Sequence, residues 1–162
     1  MYLHRMIYYS RNAIKELQKP IKAEVRSILD QSARNNPPLG ITGALLFNGT
    51  FFAQILEGDR KAVTETFCRI SNDPRHTDIV IMEMRPIDRR RFSDWCLAFA
   101  GHSDEIDQLY VKYGLTVSFN PAKMTARSLL EFVDELFEHD EYVTRPCTDH
   151  AAIAAAVRAA RA

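Results

Sequence analysis

The first part of the chain alternates between short β-forming runs and longer segments whose apolar residues recur at helical spacing. The β-forming runs predict five strands, at residues 3–10, 40–47, 50–56, 79–86 and 94–100. Apolar residues three or four positions apart predict one helix from Pro20 to Asn36 and a second through Val63 and Ile70. Asn48-Gly49, between the second and third strands, predicts a tight β-hairpin.

This order of elements, βαββαββ, predicts an α+β fold. Because β-α-β crossovers are right-handed, we expect a ferredoxin-like sheet with both helices on one face. Later segments at 104–113 and 125–137 have the apolar spacing of helices, the latter with Thr125 as N-cap, and could cover the other face. We therefore expect a domain at 1–101, a helical extension packed on the sheet at 102–142, and an alanine-rich tail, helical or disordered, at 143–162.

Charge balance and cysteine spacing exclude several classes of function. The chain has 162 residues, 46% of them apolar, and 21 basic residues offset 21 acidic ones, so no overall field favours nucleic acid. The Arg89–Arg91 run is interpreted as a solvated strand boundary. Cys68, Cys96 and Cys147 form no CxxC motif, which argues against a zinc ribbon or a redox pair. Free thiols, and the lack of a signal peptide or membrane-spanning stretch, predict a cytoplasmic protein without a membrane segment.

Two polar side chains stand in segments that should be buried. Gln54 interrupts the apolar third strand, and it either points outward from a half-exposed strand or faces a polar ligand in the core. Tyr8 lies on the first strand, which should neighbour the third, so the two side chains could be cross-strand neighbours. Tyr8 could equally be an ordinary core tyrosine.

The two predicted helices each carry polar residues on one face. On the first helix, Ile28, Ser32 and Asn35-Asn36 share a face that would offer a flat ring an apolar contact and then an amide. On the second helix, Thr66, Ile70 and Asp73 form a similar face. Arg69 lies beside this face, and Arg75 and His76 follow at the end of the helix. Helix capping for the asparagines and surface charge for the others are the alternatives.

Six segments resemble the signature blocks of BLUF domains, the blue-light sensors that use FAD. In chain order they are Arg5-Met6-Ile7-Tyr8-Tyr9-Ser10, Arg34-Asn35-Asn36-Pro37, Gly40-Ile41-Thr42-Gly43, Phe52-Ala53-Gln54-Ile55-Leu56-Glu57-Gly58, Asp73-Pro74-Arg75-His76 and Arg91-Phe92-Ser93-Asp94-Trp95. The blocks span residues 1–100, and those at 41–43 and 56–58 are the most specific. The rest of the chain resembles short BLUF proteins, in which two helices follow the sheet and no enzymatic domain is fused.

The resemblance implies non-covalent FAD and a role for each matching position. Tyr8 resembles the family's photoactive tyrosine, Gln54 the glutamine that bridges it to the flavin, and Asn36 the asparagine at the ring edge. Ile28 and Ile70 stand where the family sandwiches the ring. The remaining implied flavin contacts are Asn35, Arg69, Asp73, Arg75 and His76, with Ser32 on the same helix face as the asparagines.

The family's switch implies that light rearranges the Tyr8–Gln54–flavin hydrogen bonds, by rotation or tautomerisation of the glutamine. The signal would then pass to the last strand, which carries Trp95 and Leu97. The family usually has Trp-Ser-Met there, whereas this chain has Trp95-Cys96-Leu97. We expect the photochemistry to survive that change, because Tyr8 and Gln54 carry it.

The function expected from this resemblance is a photoreceptor that performs no catalysis and signals to a protein partner. The partner could be response-regulator-like, a phosphodiesterase or a transcription factor, and a homo-oligomer is expected. A flavin-dependent oxidoreductase is one alternative, although no G-x-G-x-x-G motif is present. A ferredoxin-like regulatory module without flavin is another. No metal site is expected, because His102 and His150 have no evident companions.

Overall fold

Six strands form one sheet in the order β4-β1-β3-β2-β5-β6 in the computed structural model, which describes residues 2–101, 103–116, 118–139 and 143–144. The strands are β1 (Leu3–Asn12), β2 (Thr42–Phe47), β3 (Phe51–Asp59), β4 (His76–Pro86), β5 (Trp95–Phe99) and β6 (Val143–Thr144). The helices are α1 (Ile21–Asn35), α2 (Arg60–Ser71), α3 (Asp104–Lys112) and α4 (Ala126–Leu136), with short 3₁₀ turns at Pro37–Leu39 and Pro121–Lys123. The predicted tail lies outside the described residues from position 145 onward.

The pairing of the strands confirms the ferredoxin-like α+β fold. β1 lies between β3 and β4 and is antiparallel to both, and β2 and β3 form the hairpin that Asn48-Gly49 predicted. β5 adds to the other edge of the hairpin and runs parallel to β2. β6 was not expected from the sequence, and it pairs with β5 over only two residue pairs.

Local chemistry sets where the helices begin and end. α1 ends where Pro37 cannot continue it, and Gly40, which closes the following turn, has a left-handed φ of 61°. Asp59 ends β3 and caps α2 by accepting a hydrogen bond from the Lys61 N–H. Thr125 caps α4 through a reciprocal capping box with Ser128.

The sheet buries a separate apolar cluster on each face. The cluster under α1 and α2 includes Met6, Tyr8, Val25, Leu29, Leu45, Phe52, Leu56, Val63, Trp95 and Leu97. The cluster on the opposite face includes Ile7, Ala44, Ala53, Ile55 and Ala98, packed with Ile106, Tyr110, Leu129, Phe132, Val133 and Leu136 of the last two helices. Because strand residues alternate between faces, β1, β2, β3 and β5 each contribute buried residues to both clusters. The sheet therefore separates the α1/α2 face from the α3/α4 face.

Candidate functional site

A cleft opens between α1 and α2 above the centre of the sheet. Its cavity volume is about 120 Å³, or about 630 Å³ when the space at its open mouth is included. It is lined by Ile28, Gln31, Ser32, Asn35, Asn36, Leu45, Gln54, Thr66, Arg69, Ile70, Asp73, Arg75 and His76. Apolar residues from both helices and the sheet therefore face a set of amides and charged groups.

Tyr8 and Gln54 meet at the floor of the cleft. They are direct partners in the antiparallel β1–β3 ladder, and the Tyr8 hydroxyl donates a hydrogen bond to Gln54 Oε1. Tyr8 is fully buried and Gln54 is 4% exposed. Burial, and to a lesser degree the charge of Asp73, raise the pKa of Tyr8 well above its usual value. The phenol is therefore neutral and holds its proton between the two oxygens at ordinary pH.

α1 supplies the first wall of the cleft. Ile28, Ser32 and Asn35 lie three or four positions apart, so all three line the cleft from one face of the helix. Asn36 is buried, and its backbone N–H donates to the Ser32 carbonyl oxygen. The Asn36 carbonyl oxygen accepts a hydrogen bond from the Ile41 N–H. Both backbone groups of Asn36 are therefore hydrogen-bonded within the turn, and the residue lines the cleft.

The second wall comes from α2 and the turn that follows it. Arg69 Nη2 donates to Thr66 Oγ1 at 3.0 Å across one turn of the helix. Arg75 is buried, and its guanidinium makes charged hydrogen bonds to the Asp73 carboxylate and to Glu24 Oε2 of α1, the latter at 3.3 Å. Burial raises the pKa of the Asp73 carboxyl, but the hydrogen bonds from Arg75 outweigh burial and lower this pKa below its ordinary value. This network joins the two helices at one end of the cleft.

His76 closes the cleft at the start of β4. Its Nδ1 lies 2.8 Å from Ser10 Oγ, and its ring packs against Phe52 with centroids 4.5 Å apart. Burial lowers the pKa of His76 from 6.5 to about 4, with Asp73 opposing the shift and Arg75 adding to it. The imidazole is therefore neutral at physiological pH, so it can offer a hydrogen bond but no charge.

Residues 3–98 match the family model for BLUF, sensors of blue-light using FAD. The match covers more than half of the chain, and it includes both walls and the floor of the cleft. The chain belongs to the BLUF family.

Curated relatives share the BLUF segment with this chain. The chain is 36% identical over 89 residues to photoactivated adenylate cyclase subunit beta of Euglena longa, which covers 54% of this chain and 10% of that protein. It is 36% identical over 90 residues to the blue light- and temperature-regulated antirepressor BluF of Escherichia coli, covering 56% of this chain and 21% of that protein. The chain thus matches a small part of each of these relatives.

Solved BLUF structures agree in fold over most of the chain. The ground state of BlsA superposes with a TM-score of 0.72 at 25% identity, covering 93% of this chain and 96% of that one. The dark state of BlrB superposes with a TM-score of 0.66 at 28% identity, covering 86% and 97%. The coverage extends past the family match, so the likeness includes elements that follow the sheet's fifth strand.

The BLUF cleft does not include the two candidate relay residues of β5. Leu97 is buried and pairs with Leu45 of β2. Leu45 in turn pairs with Gln54 of β3 across the hairpin ladder, so one strand separates Leu97 from Gln54. Trp95 is 4% exposed, and its indole Nε1 has no hydrogen-bond partner among the described residues. β5 is thus linked to the BLUF cleft through β2.

Most residues that the sequence singled out meet around the BLUF cleft. Tyr8 reaches it through Gln54, and Trp95 and Leu97 lie behind it. Two residues that sequence reasoning did not single out also line it, Gln31 and Leu45. Gln31 lies three residues after Ile28 on the same face of α1, and Leu45 is the hairpin partner of Gln54, so helical spacing and hairpin register could have identified both.

Among the residues that the structure describes, no group of three or more His, Cys, Asp or Glu side chains could hold a metal ion. Within the same residues, no helix has the length and apolar character needed to cross a membrane.

Proposed function

We propose that this chain is a blue-light photoreceptor that binds FAD non-covalently and passes the signal to a protein partner. The observation that carries the proposal is the hydrogen bond from Tyr8 to Gln54 at the floor of the cleft. Among family members, this tyrosine and glutamine form the switch, and here they are cross-strand partners that are both buried.

The lining of the cleft suits a flavin. Ile28 and Ile70 lie on opposing helices, an arrangement that fits a flat ring inserted between α1 and α2. The amides of Asn36 and Gln54 can pair with the carbonyl and N–H groups along a ring edge. Arg69 is exposed at the cleft and can meet phosphate groups of FAD. Asn35, Ser32 and the Asp73–Arg75 network line the same cleft, which supports them as further flavin contacts.

When bound, the flavin supplies absorption of blue light and an oxidising excited state. Tyr8 is the redox-active side chain at the cleft floor, and its raised pKa keeps the phenol protonated, so loss of an electron would be accompanied by loss of the phenol proton. Gln54 Oε1 is the acceptor already in place for that proton. Return of both the electron and the proton to Tyr8 would restore the phenol, so the cycle would consume nothing.

The lasting change would be in Gln54 rather than in Tyr8. In the structure the carbonyl end of Gln54 accepts from Tyr8, which leaves the NH₂ end to face the cleft. Rotation or tautomerisation exchanges the donor and acceptor presented to the ring edge. One such hydrogen bond contributes about 1 kcal/mol, enough to shift a two-state equilibrium several-fold. The altered hydrogen bond to the ring would produce a small red shift in absorbance.

The sensor is proposed to act through association rather than catalysis. The Euglena relative is named as a cyclase subunit and the Escherichia coli relative as an antirepressor, and each extends far beyond the segment that it shares with this chain. We infer a partner of response-regulator, phosphodiesterase or transcription-factor type, engaged in the cytoplasm by a homo-oligomer. In this scheme residues 1–101 form the flavin-binding unit, and 102–142 form the extension that carries the signal.

The test is the absorbance spectrum of the flavin-loaded protein before and after blue light. The wild-type spectrum should shift slightly to the red and recover in the dark. Tyr8→Phe should abolish the shift while keeping the flavin. Tyr9→Phe is the matched control, because its half-buried ring lies on the other face of the sheet against Phe51. A shift that persists in Tyr8→Phe, or a wild-type protein that binds flavin without any shift, would refute the proposed switch.

A further inference from the structure

The segment between β4 and β5, residues 87–94, is held by a buried carboxylate. Glu57 of β3 is fully buried, and its Oε2 accepts hydrogen bonds from the backbone N–H groups of Arg91 at 2.8 Å and Phe92 at 3.1 Å. Its Oε1 accepts from Arg5 Nε of β1 at 2.8 Å. A buried carboxylate needs such a full set of partners, so Glu57 fixes this segment to the centre of the sheet.

Glu57 belongs to the same strand as Gln54 but faces the other way. The two residues are three positions apart on β3, so their side chains point to opposite faces of the sheet. Gln54 lies on the α1/α2 face with Tyr8, whereas Glu57 pairs with Arg5 on the α3/α4 face. β3 therefore presents the switch amide to the cleft and an anchoring carboxylate to the far side.

The anchored segment also reaches α4. Arg91 Nε lies 3.0 Å from Asp134 Oδ1, and its Nη2 bonds to Asp134 Oδ2, a bidentate pair. Next to it, the buried Phe92 ring packs edge-on against Phe137 at the end of α4, with centroids 6.1 Å apart. Arg91, the last residue of the arginine run that the sequence suggested to be solvated, thus makes specific contacts here.

The other end of the segment leads into β5. The Gly43 N–H of β2 donates to the Asp94 carbonyl oxygen at 3.1 Å, immediately before Trp95. Arg90 adds a third tie, since its Nη1 donates to the Glu57 carbonyl oxygen at 2.7 Å and to Thr42 Oγ1 at 2.9 Å. A displacement of β5 along β2 must pull on this segment, which is held by Glu57 and joined to α4 by Arg91.

We propose that Glu57 and the Arg91–Asp134 pair form a polar link that couples the flavin cleft to α4 on the opposite face of the sheet. The inference rests on the proposed photoreceptor function and names its route out of the cleft. Glu57 and Arg91 are positioning residues, because they hold the 87–94 segment and contact no part of the cleft lining. The Arg91 and Asp134 side chains are 34% and 47% exposed, so this pair can open without exposing the core.

The test is hydrogen–deuterium exchange of α4 peptides in the flavin-loaded protein, in the dark and under blue light. In the wild type, light should change the exchange rate of α4 by about twofold or more. Asp134→Ala should keep the flavin red shift but reduce the light-dependent change in α4 to about half or less. Arg91→Ala should have the same effect as Asp134→Ala. The double variant with both substitutions should reduce the light-dependent change in α4 exchange no further than either single variant does.

Arg127→Ala is the matched control. Arg127 lies on the same helix with its side chain 89% exposed, and it pairs with Glu131 within the helix at 3.0 Å. It should retain the wild-type response. The coupling is overturned if Asp134→Ala responds like the wild type, or if the wild type shows the red shift with no change in α4. A wild type without any red shift instead overturns the photoreceptor itself, and the coupling with it.

Discussion

The buried histidine makes the folding stability of this protein depend on pH in a specific window. Burial against Phe52 and beside Ser10 lowers the pKa of His76 to about 4, whereas the unfolded chain has the ordinary value of 6.5. The unfolded state therefore binds a proton more readily than the folded state does. Stability contributed by neutral His76 is present above pH 6.5, and it is lost as the pH falls toward 4.

The size of the effect follows from the two pKa values. Near pH 7.5 both states are neutral at this site, and His76 contributes no pH dependence. Near pH 5 the unfolded imidazole is almost fully protonated while the folded one is mostly neutral, which lowers the free energy of unfolding by about 2 kcal/mol. Below the folded pKa the loss levels off at about 3 kcal/mol. The folded-state pKa of Asp73 is lowered, so protonation of Asp73 reduces the free energy of unfolding further only at more acidic pH.

The assay is urea unfolding followed by far-ultraviolet circular dichroism near pH 7.5 and near pH 5, at one saturating flavin concentration. His76→Gln should remove about 2 kcal/mol of the difference in unfolding free energy between the two conditions. His139→Gln is the control, because it removes a half-buried histidine beside Glu105 at the end of α4. Equal pH dependence in the wild type and His76→Gln would refute the argument from burial.

Three further substitutions test the packing. Gly43→Ala should lower stability by about 3 kcal/mol or more in urea unfolding, because an added Cβ would lie 1.9 Å from the Ile55 carbonyl oxygen; an unchanged midpoint would contradict this close approach. Leu129→Ala removes a fully buried side chain of the α3/α4 face and should cost about 2–5 kcal/mol, and a cost of a few tenths would argue against this core. Tyr110→Phe removes the hydroxyl that donates to the Gly101 carbonyl oxygen at 2.6 Å and should cost about 1 kcal/mol by thermal melting, with no change speaking against that bond.

Apolar periodicity and turn chemistry predict most of the fold, because they act over a few neighbouring residues. The hairpin at Asn48-Gly49 and the end of α1 before Pro37 are examples. β4 was expected from residue 79, yet it begins at His76, since His76 and Thr77 pair with the end of β1. Polar residues in a ladder leave no apolar signal, and neither does the two-residue pairing of β6.

The candidate site is less accessible to sequence reasoning because it depends on which sheet face each helix covers. Strand alternation left open whether Gln54 points outward or inward. The structure resolves the choice through the register of β1 and β3, which sets Gln54 opposite Tyr8 beneath α1 and α2. The sequence marks Glu57 only as part of a family motif, because its partners Arg91 and Phe92 are distant in sequence and bond to it through their backbone N–H groups.

The opposite orientations of Gln54 and Glu57 restrict how the length of this chain can change. Deleting one residue between them would leave them two positions apart, with both side chains on one face. Either the amide would leave the cleft or the carboxylate would be buried among apolar side chains. Insertions at the Asn48-Gly49 turn change neither orientation. Length variation is therefore expected to accumulate in the hairpin turn, while the spacing within the middle of β3 stays constant.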